Sequence, residues 1–107
     1  MEKSGYLYKR GGTKGQKWQK RWIDLIYNTF TNNFDLIYKK DPKSKPKGTI
    51  VIDSKCEIVS DKNEWGIKRE FSFVVHTTSG KKGLYWFSAD SKEEMMSWVN
   101  IISSPKN

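Results

Sequence analysis

Apolar and polar residues alternate along most of the first ninety positions, in short runs such as "GYLYK", "WIDLI", "FDLIY" and "GTIVI". A period of two is that of a strand with one face in a core. The pattern predicts strands near 5–10, 17–26, 33–39, 48–52, 55–60, 68–77 and 83–88. Between them lie the turn-rich breakers "GGTKG", "NTFTNN", "DPKSKPKG", "SDKNEWG" and "TSGKKG". The period then changes. In "SADSKEEMMSWVNIISSP" the residues Met95, Trp98, Val99 and Ile102 recur at helical spacing. Ser91 followed by Glu94 has the form of a capping box, in which the hydroxyl and the carboxylate each satisfy an end amide. This predicts a helix over about 92–103, stopped by Pro105. Seven short strands and one amphipathic helix imply a single mainly β domain over 1–107, a sandwich or small barrel plugged at one end by Trp98. The expected core is Leu7, Ile23, Leu25, Phe71, Phe73 and Trp98.

Composition agrees with a small packed domain: 36% hydrophobic residues and 14% aromatics, with five Trp, is too rich for a disordered chain. No run approaches the roughly 18 apolar residues that span a bilayer. The opening "MEKSGYLYK" has no apolar segment of signal-peptide type. A lone cysteine, Cys56, excludes an internal disulfide and fits a reducing, cytoplasmic setting.

Charge changes the picture more. The net +8 lies wholly in residues 1–47, where twelve Lys and Arg face four acidic residues; the remainder is balanced at eight and eight. Such asymmetry points to a polyanionic partner. Side-chain parity locates it. Leu7 and Lys9 share one face of the first strand, as Arg21, Ile23 and Leu25 do on the second. Tyr6, Tyr8 and Arg10, like Trp18, Lys20 and Trp22, take the other face. With Leu7 opposite Ile23, Lys9 falls opposite Arg21, both extending an apolar column to its open end. Like charges in that position destabilise a hairpin unless an anion lies between them, and residues 3–23 contain no Asp or Glu. A phosphate suits a Lys beside an Arg. Tyr38 shares parity with Leu36 and reaches towards the same end, as does Lys47 at the start of the next strand. Lys14, Lys20, Lys43 and Lys45 fringe the surface.

The ordered set "SGYLYKRGG", "KWQKRWIDL", "LIYKK", "PKGTIVI" and "FSADSKEEMMSWVNII" resembles a pleckstrin-homology (PH) domain over essentially the whole chain. The resemblance implies a seven-stranded, strongly bent antiparallel sandwich, or partly open barrel, capped by the C-terminal helix. It also implies a module of a larger signalling chain. Phosphoinositide-binding members carry a Lys near the end of the first strand and a basic-x-Arg triplet on the second. Lys9 and Arg21 match these positions, Tyr38 matches a third-strand tyrosine that touches phosphate, and Lys47 a basic position near the fourth strand. The resemblance thus implies an inositol headgroup as ligand, 3-phosphorylated forms included, with Lys9, Arg10, Lys17, Arg21, Tyr38 and Lys47 around it. The departure is Gln19, uncharged where 3-phosphoinositide binders place Lys or Arg, which leaves the isomer open. Basic residues near an anionic leaflet contribute about 1 kcal/mol each. The loop "GGTKGQ" has no apolar wedge, so shallow, salt-sensitive docking is expected, with Trp65 either packed or at the interface.

Catalysis is not expected, nor any cofactor or metal. His76 is a single histidine in a strand-like run, Cys56 has no visible base, and "GGTKGQK" lacks the Gly-Lys-Ser/Thr ending of a P-loop. Two other classes compete with lipid binding. One is a protein-interaction module of the same fold, which Gln19 keeps open. The other is a single-stranded nucleic-acid binder stacking bases on Trp18 and Trp22, whose packing beneath adjacent loops is the favoured reading. The expectation is a monomer bound to phosphoinositide or other anionic lipid, with a protein partner also compatible and no nucleic acid.

Overall fold

The computed structural model describes residues 2–10, 17–60, 69–77 and 83–104. The strands are β1 (Lys3–Arg10), β2 (Gln19–Asn28), β3 (Asn33–Lys39), β4 (Pro46–Ile52), β5 (Glu57–Val59), β6 (Ser72–Thr77) and β7 (Gly83–Ser88), followed by helix α1 (Lys92–Ile102). All pair antiparallel in one sheet of order β4-β3-β2-β1-β7-β6-β5. β1 joins the two halves, and β4 and β5 are the outer strands, so the sheet bends around its core without closing.

The core is one face of that sheet. Leu7, Ile23, Leu25, Phe34, Leu36, Ile50, Ile52, Phe73, Val75 and Phe87 are all buried, and within each strand they alternate with residues of the opposite face. Phe73 stacks on Phe87 at 5.4 Å between ring centres. From α1 come Met95, Trp98 and Ile102, with Trp98 and Ile102 wholly shielded from solvent. Phe71 departs from the expected core. It is half-buried against the edge of the cluster, and its φ of 53° is left-handed, a conformation that a strand does not continue through. That residue sets the start of β6 at Ser72 instead of near 68.

The helix starts as its sequence indicates, with Ser91 Oγ accepting the Glu94 amide at 3.1 Å. The second half of the expected capping box is replaced. The Glu94 carboxylate accepts from Trp98 Nε1 at 3.2 Å and pairs with Lys3 Nζ at 3.2 Å. It therefore fixes the buried indole and ties α1 to β1. Pro105, the expected stop, lies outside the described residues; within them, Ser103 N closes the last turn on Val99 O at 2.9 Å.

The first hairpin corrects the expected register by two residues. Gly5 lies opposite Ile23, Leu7 opposite Arg21 and Lys9 opposite Gln19. Gly5 therefore takes the place expected for Leu7, beside Trp98, where an added Cβ would lie in ordinary contact with the indole, 3.6 Å from Cζ2. A shift of two preserves every face assignment, so Lys9 and Arg21 stay on the core side as diagonal neighbours instead of a facing pair.

Candidate functional site

Antiparallel pairing brings the end of β1, the start of β2, the end of β3 and the starts of β4 and β7 to one rim of the sheet. On the core side of that rim the apolar rows run out and charged residues replace them. Lys9 occupies the centre. Its Nζ lies 4.2 Å from the ring centre of Tyr38 and 5.6 Å from that of Tyr85. Burial, followed by the positive charge of Arg21, holds the Lys9 pKa below its ordinary 10.5. The two tyrosine faces offset part of that penalty, about 0.5–2 kcal/mol for a partly desolvated cation. Neither Lys9 nor Arg21 has a carboxylate partner among the described residues.

Tyr38 is placed by the backbone around it. It pairs with Gly48, and the register shifts immediately after it. Its ring and hydroxyl lie so close over Gly48 that any side chain there would collide with them. Arg21 is held by its own strand: Nη2 donates to Gln19 Oε1 at 2.8 Å and Nη1 to the Lys20 carbonyl at 2.9 Å. The result is a half-buried ammonium and a braced guanidinium beside two tyrosines, a cationic recess shaped to accept an anion with several oxygens.

Arg10 is not part of this recess. It sits on the opposite face, its guanidinium 5.3 Å from the ring centre of Trp86, as parity requires and against its expected place among the ligands. Lys20 is also on that face, over Tyr6 at 4.8 Å. Tyr6 and Trp22 meet edge to face at 5.0 Å, and Arg69 covers Tyr8 at 3.9 Å and Trp18 at 5.8 Å. Lys17 is exposed just before β2. Lys43 and Lys45 are exposed in the β3–β4 turn, where Asp41 Oδ1 accepts the Lys43 amide at 2.9 Å. Lys47 is exposed beside Gly48, alternating out of the Gly48–Ile50–Ile52 row. Lys14 and Trp65 lie outside the described residues.

Two residues of the recess were absent from the expected set. Tyr85 could have been found by parity, since it shares a face with the core residue Phe87 in "LYWF". The bond from Arg21 to Gln19 had a weaker signal, the spacing of two that puts both on one face. Beneath the outer face lies a buried carboxylate that charge counting does not reveal. Asp24 accepts from Ser4 Oγ at 2.9 Å and Trp22 Nε1 at 2.9 Å, and pairs with Lys39 Nζ at 2.8 Å.

Elsewhere, His76 Nδ1 lies 4.0 Å from Glu57, and Cys56 Sγ is 3.7 Å from the Val51 carbonyl. Among the described residues no helix is long and apolar enough to cross a membrane.

This architecture has close counterparts. The C-terminal PH domain of pleckstrin, solved in complex with D-myo-Ins(1,2,3,4,5)P5, superposes with a TM-score of 0.74 at 22% identity, covering 98% of this chain and 97% of that one. Protein CG43867 of Drosophila melanogaster is 33% identical over 97% of the chain, and human SH3 domain-binding protein 2 is 29% identical over 95%. The chain spans only 5% and 18% of those two proteins' lengths. The family model for the PH domain matches residues 1–107 from end to end. With seven antiparallel strands, a Trp-bearing terminal helix and this match, the chain belongs to the PH-domain family.

Proposed function

We propose that this domain is a non-catalytic module that brings a larger host chain to membranes by binding a phosphoinositide headgroup in the Lys9–Arg21–Tyr38–Tyr85 recess. The observation that carries the reading is Lys9 itself. An ammonium held half-buried next to a guanidinium, with no carboxylate among the described residues to neutralise either, is unfavourable in the free protein and becomes favourable when a phosphate arrives. The structural neighbour bound to an inositol pentakisphosphate supports the same ligand class. Lys17, Lys43, Lys45 and Lys47 supply exposed positive charge along the same rim, suited to an anionic leaflet. The setting that fits is cytoplasmic, with peripheral recruitment.

The test is titration calorimetry with soluble inositol phosphates, alongside sedimentation with phosphoinositide-containing vesicles. Lys9→Ala and Arg21→Ala should each weaken both interactions by on the order of tenfold or more. Membrane binding unchanged by the double variant would sink the proposal and favour the protein-interaction reading, which the uncharged Gln19 supports. The nucleic-acid reading has less behind it, because Trp18 already carries the Arg69 guanidinium at 5.8 Å and Trp22 packs edge to face with Tyr6, contacts that a stacking base would compete with.

A further inference from the structure

The β3–β4 connection reads "KDPKSKPK" over 40–47, and its sequence sets its shape. Asp and then Pro suit the first two places of a tight turn. The chain turns there, with the Ser44 amide donating to the Asp41 carbonyl at 3.2 Å. The Asp41 carboxylate accepts the Lys43 amide at 2.9 Å and a bond from the Ser44 side chain. Ser44 is the one hydroxyl residue of this segment, and it stands among Lys40, Lys43, Lys45 and Lys47, all exposed. Four lysines against the single carboxylate of Asp41 give 40–47 a net charge of +3. A phosphoryl group on this hydroxyl would act twice. It brings about −1.5 to −2 charge at pH 7, which offsets most of the local excess. It also replaces a donor to Asp41 with a dianion, so the contact that braces the turn becomes a repulsion.

We propose that Ser44 is a phosphorylation site whose modification releases the domain from anionic membranes. This rests on the rim being the membrane-facing side. The phosphoryl donor is ATP, used by a protein kinase of the class that recognises serines flanked by basic residues. Ser44 Oγ attacks the γ-phosphorus, so the Oγ–P bond forms and the bond from that phosphorus to the ADP oxygen breaks. ADP leaves, and the hydroxyl proton passes to the kinase's base. Lys9, Arg21 and Tyr38 are left in place, so the loss falls on attraction to the leaflet more than on the headgroup contacts.

The test compares wild type, Ser44→Ala and protein phosphorylated at Ser44, made by installing the modified residue during translation. Each is sedimented with phosphatidylserine-rich phosphoinositide vesicles and titrated with a soluble inositol trisphosphate. At low salt the phosphorylated protein should lose on the order of thirtyfold in vesicle association. Its affinity for the soluble headgroup should fall by less than about threefold, and Ser44→Ala should match wild type in both assays. With Lys43 and Lys45 already replaced by Gln, phosphorylation should weaken vesicle association much less, because the cations it offsets are gone. In a separate arm, basic-directed kinases are given ATP and either a peptide of residues 38–49 or the folded domain. Mass spectrometry should place a phosphate on Ser44 in both. If wild type sediments but phosphorylation at Ser44 leaves it bound, or weakens headgroup binding equally, the switch is refuted while the membrane reading stands. Failure of these kinases to modify Ser44 in the folded domain refutes it as well. If wild type does not sediment, the membrane reading is refuted and the switch falls with it.

Discussion

Lys9 is a residue whose stability effect and proposed binding effect have opposite signs. Its lowered pKa arises from burial and then from Arg21. The folded chain therefore holds this proton more weakly than the unfolded chain does. The charged side chain costs stability at neutral pH, and stability is regained as pH rises through the interval between the folded value and the unfolded 10.5. Lys9→Met keeps an unbranched stem between Tyr38 and Tyr85 and removes the charge. Its thermal midpoint at neutral pH should equal or exceed that of wild type by up to about 1 kcal/mol in stability, and the alkaline gain should disappear. Binding of inositol phosphate should fall in the same variant. A destabilised Lys9→Met would mean that the two cation–ring contacts outweigh burial and repulsion. In wild type, binding should weaken on the alkaline side from below the usual lysine range, because the anion needs the ammonium form.

At the scale of the elements, Asp24 joins three strands: Ser4 from β1, Trp22 from its own β2, and Lys39 from β3. Burial alone would raise its pKa, but the bonds from Lys39, Ser4 and Trp22 prevail and hold it below the usual 3.8. The group thus contributes stability that is present above 3.8 and is lost as pH falls through the lower folded value. Asp24→Ala leaves Lys39 and the indole N–H without their acceptor and should cost about 3 kcal/mol, removing this part of the acid transition; urea titrations at neutral and acid pH would measure both. Its partners are set by register, which is why sequence did not reveal it. Periodicity found all seven strands and the helix because one face of each is buried, and parity sorted Lys9 and Arg21 from Arg10 and Lys20. Register was not legible. A shift of two leaves every residue on its face, so the alternation of apolar and polar positions is the same in both registers. Tyr85 was missed for a related reason, since β7 joins the recess only through its pairing with β1.

At the scale of the molecule, the charge asymmetry becomes a spatial one. The β1–β2 and β3–β4 connections leave the same rim of the sheet, so Lys17, Lys43, Lys45 and Lys47 border the recess, while β7 runs away from it to Lys92 and the helix. A leaflet facing that rim would meet the rim cations together with the headgroup ligands. Lys43 and Lys45 are exposed in the β3–β4 turn, whereas Lys47 adjoins Gly48 beneath Tyr38, so the two turn lysines should serve the leaflet more than a soluble headgroup. The two kinds of binding should therefore separate. Replacing Lys43 and Lys45 together with Gln should weaken association with phosphatidylserine-rich phosphoinositide vesicles by up to about 2 kcal/mol, roughly thirtyfold at low salt. Affinity for the soluble headgroup should change by less than about threefold, because exposed charges that make no direct contact are weakened by screening at physiological salt, where the Debye length is about 8 Å. Raising the salt should shrink the vesicle difference, and Lys92→Gln, at the opposite end, should leave both unchanged. Equal losses in the two assays would place the β3–β4 lysines inside the headgroup site. No loss in either would mean that the membrane approaches from another side.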